Sequence, residues 1–254
     1  MDAIVARQLI DLNRQFYQTF ALQFSQTRQR IQPGVRQVLK SIPENASILD
    51  LGCGNGELWQ ALLKSGFQGD YLGLDVSPGL LEIARHKGLS AASKKPVFIN
   101  ADLTTSAWDQ DLFPAESTQS AKSNPLQFDF VLAFAVFHHI PGDGLRQDAL
   151  KKIQRLISPG GQFIHSEWQF LNSDRLKQRI QPWSIIGLNQ TSIDKDDYLL
   201  DWRHGGQGLR YIHLFQEEEL QELAEKAGFE IQDTFYSDGE GGNLSLYQTW
   251  TAVK

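Results

Sequence analysis

The segment that most constrains this chain is Ser47-Ile48-Leu49-Asp50-Leu51 running into Gly52-Cys53-Gly54-Asn55-Gly56, with a helical pattern opening at Glu57. A short apolar run ending in glycines reads as a buried strand, and the glycines permit a tight backbone turn. The following helix N-terminus presents N–H groups with no intrahelical partner, so the turn is suited to an anionic or nucleotide ligand. The spacing narrows this. A dinucleotide fingerprint places glycines at its first, third and sixth positions. Here they fall at Gly52, Gly54 and Gly56, and Glu57 takes the sixth position.

Downstream, strand and helix patterns alternate. Strands are expected at Tyr71–Asp75, Pro96–Ala101, Phe128–Ala133 and Gln162–Ser166. Helices are expected at Glu57–Ser65, Pro78–His86 and 143–157, the last stopped by Ser158-Pro159-Gly160-Gly161. Two N-terminal helices cover 5–24 and 31–41. Residues 104–127 read as a short helix and a loop. A helix over Gln216–Ala227 and strands near 229–236 and 244–253 close the chain. This alternation implies an α/β fold with a doubly wound, seven-stranded, mostly parallel sheet and an antiparallel strand at its end. The expected organisation is an N-terminal helical cover (1–44), an α/β core (45–170), an inserted cap (171–212) and a C-terminal helix with strands that complete the core (213–254).

Charge and composition exclude some classes. The 254 residues carry a net charge of −6, which argues against a bulk electrostatic grip on nucleic acid by this chain alone. No apolar run approaches the roughly 20 residues of a membrane span, so no membrane association is expected. One cysteine, Cys53, rules out an intrachain disulfide and suits a reducing, cytoplasmic setting. Cys53 reads as a small turn residue. No cysteine or carboxylate completes a metal set around His138-His139, so no metal is expected.

The Gly-x-Gly-x-Gly turn resembles motif I of class I S-adenosylmethionine (SAM) methyltransferases, and the later residues follow the same order. The resemblance implies a Rossmann-like methyltransferase fold and SAM as cofactor, with S-adenosylhomocysteine as product. It implies that Asp50, Gly52, Cys53, Gly54, Asn55 and Gly56 cradle the cofactor. Asp75-Val76 would meet the ribose hydroxyls, Asp102-Leu103 the adenine, and Phe134 the adenosyl or methionine end. The step Phe137-His138-His139-Ile140-Pro141 is widespread in one branch of that family, and one of its histidines can face the transferred methyl.

A narrower resemblance lies at both ends. Phe24-Ser25-Gln26-Thr27-Arg28 with Pro33 is similar to the N-terminal signature of the tRNA wobble-uridine methyltransferases, which methylate the carboxyl of 5-carboxymethyluridine. Asp197-Tyr198-Leu199-Leu200, Trp202 and Arg210-Tyr211-Ile212-His213-Leu214-Phe215 are similar to their cap signature. Gln32, Asp201 and the Gly205–Gly208 stretch depart from the pattern. The resemblance places Arg28 and one of His138 or His139 beside the acceptor carboxylate, with Trp202, Arg210, Tyr211 and His213 as acceptor-side cap residues. A carboxylate is already anionic at neutral pH, so its methylation needs positioning and a cation more than a base. The partners implied are a tRNA or a small acid metabolite and a small activating protein. The alternatives are an O-, N- or C-methyltransferase of small metabolites and a non-catalytic SAM-binding subunit. A dinucleotide oxidoreductase is disfavoured by Glu57.

Overall fold

A computed structural model describes residues 1–27, 29–88, 94–112 and 126–253. Seven strands form the main sheet in the order β3-β2-β1-β4-β5-β10-β9. These are β1 (Ser47–Leu51), β2 (Asp70–Asp75), β3 (Val97–Asn100), β4 (Phe128–Phe134), β5 (Ile157–Trp168), β9 (Phe229–Ser237) and β10 (Ser245–Ala252). β10 alone runs antiparallel to both its neighbours, so the sheet is mostly parallel, as the alternation implied.

The period-2 alternation of side chains assigns each strand's two faces. Ile48, Leu132 and Ile164 face α3 (Pro33–Leu39), α4 (Glu57–Lys64) and α5 (Pro78–Gly88), meeting Val38, Trp59, Leu62 and Leu81. Leu49, Val131 and Phe163 face α6 (Asp143–Leu156) and α8 (Glu217–Lys226), meeting Leu150, Ile153, Leu220 and Leu223. Each of these buried side chains contributes roughly 1.5–3 kcal/mol by leaving water. The parallel strands' C-terminal ends therefore stand on a rigid two-sided core, and the glycine turn sits at one of them.

Three boundaries differ from the sequence expectation. The helix expected over 5–24 breaks at Phe20, whose φ of −108° and ψ of 20° leave the α-region. It divides into α1 (Ala3–Thr19) and α2 (Ala21–Thr27). The second helix starts at Pro33, which suits a first helical position because its missing N–H would have no partner there. Extended backbone resumes at Ile157, earlier than expected. Pairing jumps from Phe128–Ile157 to Phe130–Gln162, so Ser158–Gly161 bow out as a bulge within β5. Of the loop expected over 104–127, residues 113–125 lie outside the described residues.

Between β5 and α8 stand the short helix α7 (Asp174–Lys177) and a second sheet, ordered β6-β7-β8: β6 (Ile180–Gln181), β7 (Asp197–Trp202) and β8 (Gly208–His213). Helix α1 lies on it. Asn13 bonds both ways with Tyr211, donating to its carbonyl at 3.1 Å and accepting its N–H at 2.8 Å. Val5 and Leu9 share a cluster with Trp183, Leu199 and Tyr211. The loop joining β7 to β8 rests on the junction of α1 and α2, and this explains its glycines. Gly206 has φ +150°, and a Cβ there would come 2.7 Å from the Phe20 ring. Among the described residues, no helix is long and apolar enough to cross a membrane.

Candidate active site

The glycine turn takes its shape from three left-handed residues, Gly52, Gly54 and Gly56. Gly52 has φ +69°, and a Cβ on it would sit 2.5 Å from Val136 Cγ2, so only glycine lets the turn pass beneath the segment that follows β4. At Gly54 a Cβ would meet nothing within 4 Å, so the turn leaves open space there. That space belongs to a cavity of about 340 Å³, within the usual range for a small-molecule site.

Acidic side chains on strand ends line one part of the cavity. Asp75 ends β2, and its carboxylate oxygens accept N–H bonds from Gly54 (2.9 Å) and Ser77 (2.8 Å). Burial pushes its carboxyl up to about 6, against those two bonds. Asp50 takes a hydrogen bond from the Tyr71 hydroxyl, and burial raises it to about 7. Asp102 is half-buried, which raises its carboxyl, but bonds from the Thr104 hydroxyl (2.6 Å) and Arg14 (2.5 Å) outweigh that and hold it below the usual range. Cys53 is buried in the turn and burial pushes its thiol up, which fits a packing role.

His138 and His139 follow β4 and both line the cavity, with their rings 4.4 Å apart. Their surroundings differ. His139 Nδ1 lies 3.2 Å from the Tyr211 carbonyl oxygen and 3.5 Å from the Asn13 amide nitrogen. Its Nε2 lies 2.7 Å from the Tyr17 hydroxyl. His138 is buried, with Nδ1 3.0 Å from Glu167 Oε2 and its backbone N–H 3.1 Å from the same oxygen.

On the cap side Arg210 lines the cavity with its guanidinium 4.8 Å from the Trp168 ring, 5.5 Å from Phe16 and 5.7 Å from Trp202. Arg14 and Arg30 line it as well.

Asp50, Gly52, Cys53, Gly54, Asn55, Asp75, Val76, Asp102, Leu103, Phe134, His138, His139 and Arg210 therefore share one cavity. Gly56, Trp202, Tyr211 and His213 do not line it. Gly56 caps α4, and Trp202 packs edge-on to Phe16. Tyr211 and His213 belong to a buried network. There the Tyr211 hydroxyl donates to Asp197 (2.7 Å), and His213 bridges Asp197 (2.6 Å) and Glu219 (2.8 Å). Arg146 ties both acids together by reaching the Tyr211 hydroxyl (3.0 Å), Glu219 (3.2 Å) and the Ile140 carbonyl (3.0 Å). These two aromatic residues hold the cap sheet to the core rather than face the cavity. Arg28 lies outside the described residues.

Tyr17, Arg14 and Glu167 were not legible as site residues. Tyr17 had a faint signal, since Asn13, Tyr17 and Phe24 recur at helical spacing. Glu167 falls just beyond the strand expected over Gln162–Ser166, and nothing in the sequence signals that it stands opposite His138.

A family model described as "Methyltransferase domain" matches residues 24–234. The chain belongs to this methyltransferase family. It is similar to the Schizosaccharomyces pombe tRNA (carboxymethyluridine(34)-5-O)-methyltransferase, 28% identical over 232 residues that cover 87% of this chain and 90% of that relative. Two solved structures share the fold. One is a SAM-dependent methyltransferase from Methanosarcina mazei, with TM-score 0.62 and 19% identity, covering 88% of this chain and 98% of that one. The other is a putative methyltransferase of Haloferax volcanii solved with the Trm112 activator, with TM-score 0.63 and 17% identity, covering 95% and 97%.

This methyltransferase uses SAM as its methyl donor. The cavity suits that molecule. A left-handed glycine turn leaves space above Gly54, and the Asp75 carboxylate at the cavity wall is the acceptor chemistry that paired ribose hydroxyls require. Leu103 and Ala101 supply apolar walls nearby. Among the described residues no cluster of histidine, cysteine or acid could hold a metal.

Proposed function

We propose that the methyltransferase transfers the methyl group to a carboxylate oxygen on a tRNA wobble uridine. The carrying observation is the pairing of an acid-lined half with a cationic half in one cavity: Asp50 and Asp75 on one side, and Arg210, stacked among aromatic rings, on the cap side. In this reading Gly52, Gly54, Asp75 and Leu103 hold the donor, whose sulfonium supplies an electrophilic methyl. Arg210 and Arg28 bind the acceptor carboxylate, and the Trp168 ring beside Arg210 flanks the base. The carboxylate needs no deprotonation, so the residues contribute alignment and desolvation. The name of the S. pombe relative supports the same acceptor.

With a net charge of −6, this chain has little bulk attraction for a polyanion. We propose that a small activating protein works with this chain, a reading supported by the Haloferax neighbour's complex, and that basic surface for tRNA lies on that partner. The acidic charge is also the observation that favours the second reading, a small acid metabolite as acceptor.

The test combines salt titration with arginine removal. tRNA binding, measured with and without a Trm112-type activator, should weaken steeply between about 50 and 200 mM salt. Arg28→Ala and Arg210→Ala should each cut kcat/KM for tRNA by about 10–100-fold, the cost of a lost charge-assisted hydrogen bond at roughly 1.5–3 kcal/mol. Salt-insensitive binding, or turnover indifferent to both substitutions, would sink this reading.

A further inference from the structure

The cations of this chain are unevenly placed. Residues 12–43 contain Arg14, Arg28, Arg30, Arg36 and Lys40 and no acidic residue. That segment carries +5 in a chain whose net charge is −6, so the remainder carries −11. Arg14 is committed to Asp11 (2.9 Å) and Asp102 (2.5 Å). Arg30, Arg36 and Lys40 are exposed, and among the described residues the side chain of none of them forms a hydrogen bond or an ion pair.

Their positions are continuous. Arg30 is exposed and also lines the cavity, with Ile31, Gln32 and Val35, so it stands at the mouth. The chain then enters α3, which is fixed to the core by its other side. Val35 and Val38 are buried, and the Gly34 N–H donates to Asp238 at 2.9 Å. A Cβ on Gly34 would come 2.3 Å from a Tyr247 ring carbon, so the helix sits tightly on β10. Asp238 itself is buried, with its second oxygen taking the Tyr247 hydroxyl at 2.7 Å. Arg36 and Lys40 stand on the exposed side of α3, one turn and about 6 Å apart along the axis. The exposed residues among these cations, Gln29, Gln32 and Gln37, are neutral.

We propose that Arg30, Arg36 and Lys40 form a phosphate-binding track for the RNA strand whose base enters the cavity. The inference rests on the nucleic-acid reading of the cavity and names the surface of this chain that meets the strand. A nucleotide that inserts its base leaves its own phosphate at the mouth, where Arg30 stands. The adjoining phosphates follow the exposed side of α3. Arginine can grip a phosphate through two N–H bonds, and lysine serves as a point charge. Such contacts set the position of a strand without reading its sequence. The acidity of the rest of the chain does not cancel them, because charges at physiological salt are screened beyond about 8 Å. The activating partner's basic surface serves the body of the RNA, and the track serves the strand beside the acceptor base.

The test is a salt titration of tRNA binding by the full chain with a Trm112-type activator, read by fluorescence anisotropy of labelled total tRNA. Each phosphate contact on a single strand contributes about 0.7 to the slope of log affinity against log salt. Arg36→Gln/Lys40→Gln should lower that slope by about 1.4, so that the fall in affinity between about 50 and 200 mM salt becomes about sevenfold smaller than in wild type. Adding Arg30→Gln should take the loss of slope to about 2. The charge-preserving Arg36→Lys/Lys40→Arg protein should keep the wild-type slope. So should Lys151→Gln/Arg155→Gln, which removes the same charge from exposed positions on α6, across the sheet from α3. Calorimetric SAM affinity of the Arg36→Gln/Lys40→Gln protein should match wild type, since neither residue lines the cavity.

A slope unmoved by Arg36→Gln/Lys40→Gln, or lowered equally by the α6 substitutions, overturns the track and leaves the tRNA reading standing. Wild-type binding that is absent or indifferent to salt removes the tRNA reading and the track together. Phosphatidylserine vesicles that bind wild type and not Arg36→Gln/Lys40→Gln, with tRNA binding unmoved, would assign these cations to a lipid surface and overturn the RNA assignment.

Discussion

Asp75→Ala is expected to weaken SAM binding by about 100-fold or more in calorimetry. In the proposed complex two ribose hydroxyls donate to this carboxylate, and each bond to a charged acceptor contributes roughly 1.5–3 kcal/mol. Together they account for about 3 kcal/mol at least, or two decades in Kd. The substitution also removes the partner of the Gly54 and Ser77 N–H groups, which loosens the glycine turn. The effect carries a pH signature. Burial raises the Asp75 carboxyl to about 6, so the charged acceptor is lost below that value. Wild-type SAM affinity should therefore rise between pH 5 and pH 7.5, and the Ala variant should lose that rise. Stability of the ligand-free protein runs the other way. Because the folded value exceeds the unfolded one, this group's stabilising contribution is full below about 4 and is lost as pH rises through about 6. A Kd unchanged by Asp75→Ala would remove this residue from the cofactor site.

Arg146→Ala should lower the melting temperature by roughly 8–16 °C. The side chain is buried on α6 and joins the Ile140 carbonyl, Glu219 and the Tyr211 hydroxyl, with Asp197 3.7 Å away. Removing one partner from a buried charge network costs roughly 3–5 kcal/mol because the remaining acids lose compensation. Asp197 is the most exposed to that loss, since its Oδ2 is buried with no hydrogen-bond partner among the described residues. At about 2–4 °C per kcal/mol for a chain of this size, a 4 kcal/mol loss gives that range in scanning calorimetry. The same network should weaken at alkaline pH. Burial lowers His213, but Asp197 and Glu219 overcome it and leave its value raised. Its contribution is complete below about 6.5 and fades as pH climbs through the folded value. A drop under about 2 °C would mean the cap is not held through Arg146.

The strand-end half of the cavity was legible in sequence because it is local. The turn Gly52–Gly56 and the acids Asp75 and Asp102 sit at strand ends, and a strand end followed by a turn leaves a readable pattern. The chain's alternation likewise fixed the sheet, apart from the bulge at Ser158–Gly161, which a stop signal of proline and glycines disguised as a loop. The acceptor half depends on segments distant in sequence. Tyr17 meets His139 across 122 positions, and Asn13 meets Tyr211 across 198. No periodicity announces such pairs. For the same reason Tyr211 and His213 looked like acceptor residues, when packing directs them into the Arg146 network. The cap's three strands were hidden because they are short and both faces of their sheet are packed, Leu199 and Tyr211 toward α1 and Leu200 and Ile212 toward Phe170, so no apolar–polar alternation marks them.

The most direct test of the account is nucleoside analysis of tRNA after incubation with this chain, a Trm112-type activator and methyl-labelled SAM. The predicted result is label on the wobble uridine as an alkali-labile methyl ester, lost with Asp75→Ala. Absence of label from tRNA, together with calorimetric binding of NADH and none of SAM, would contradict it.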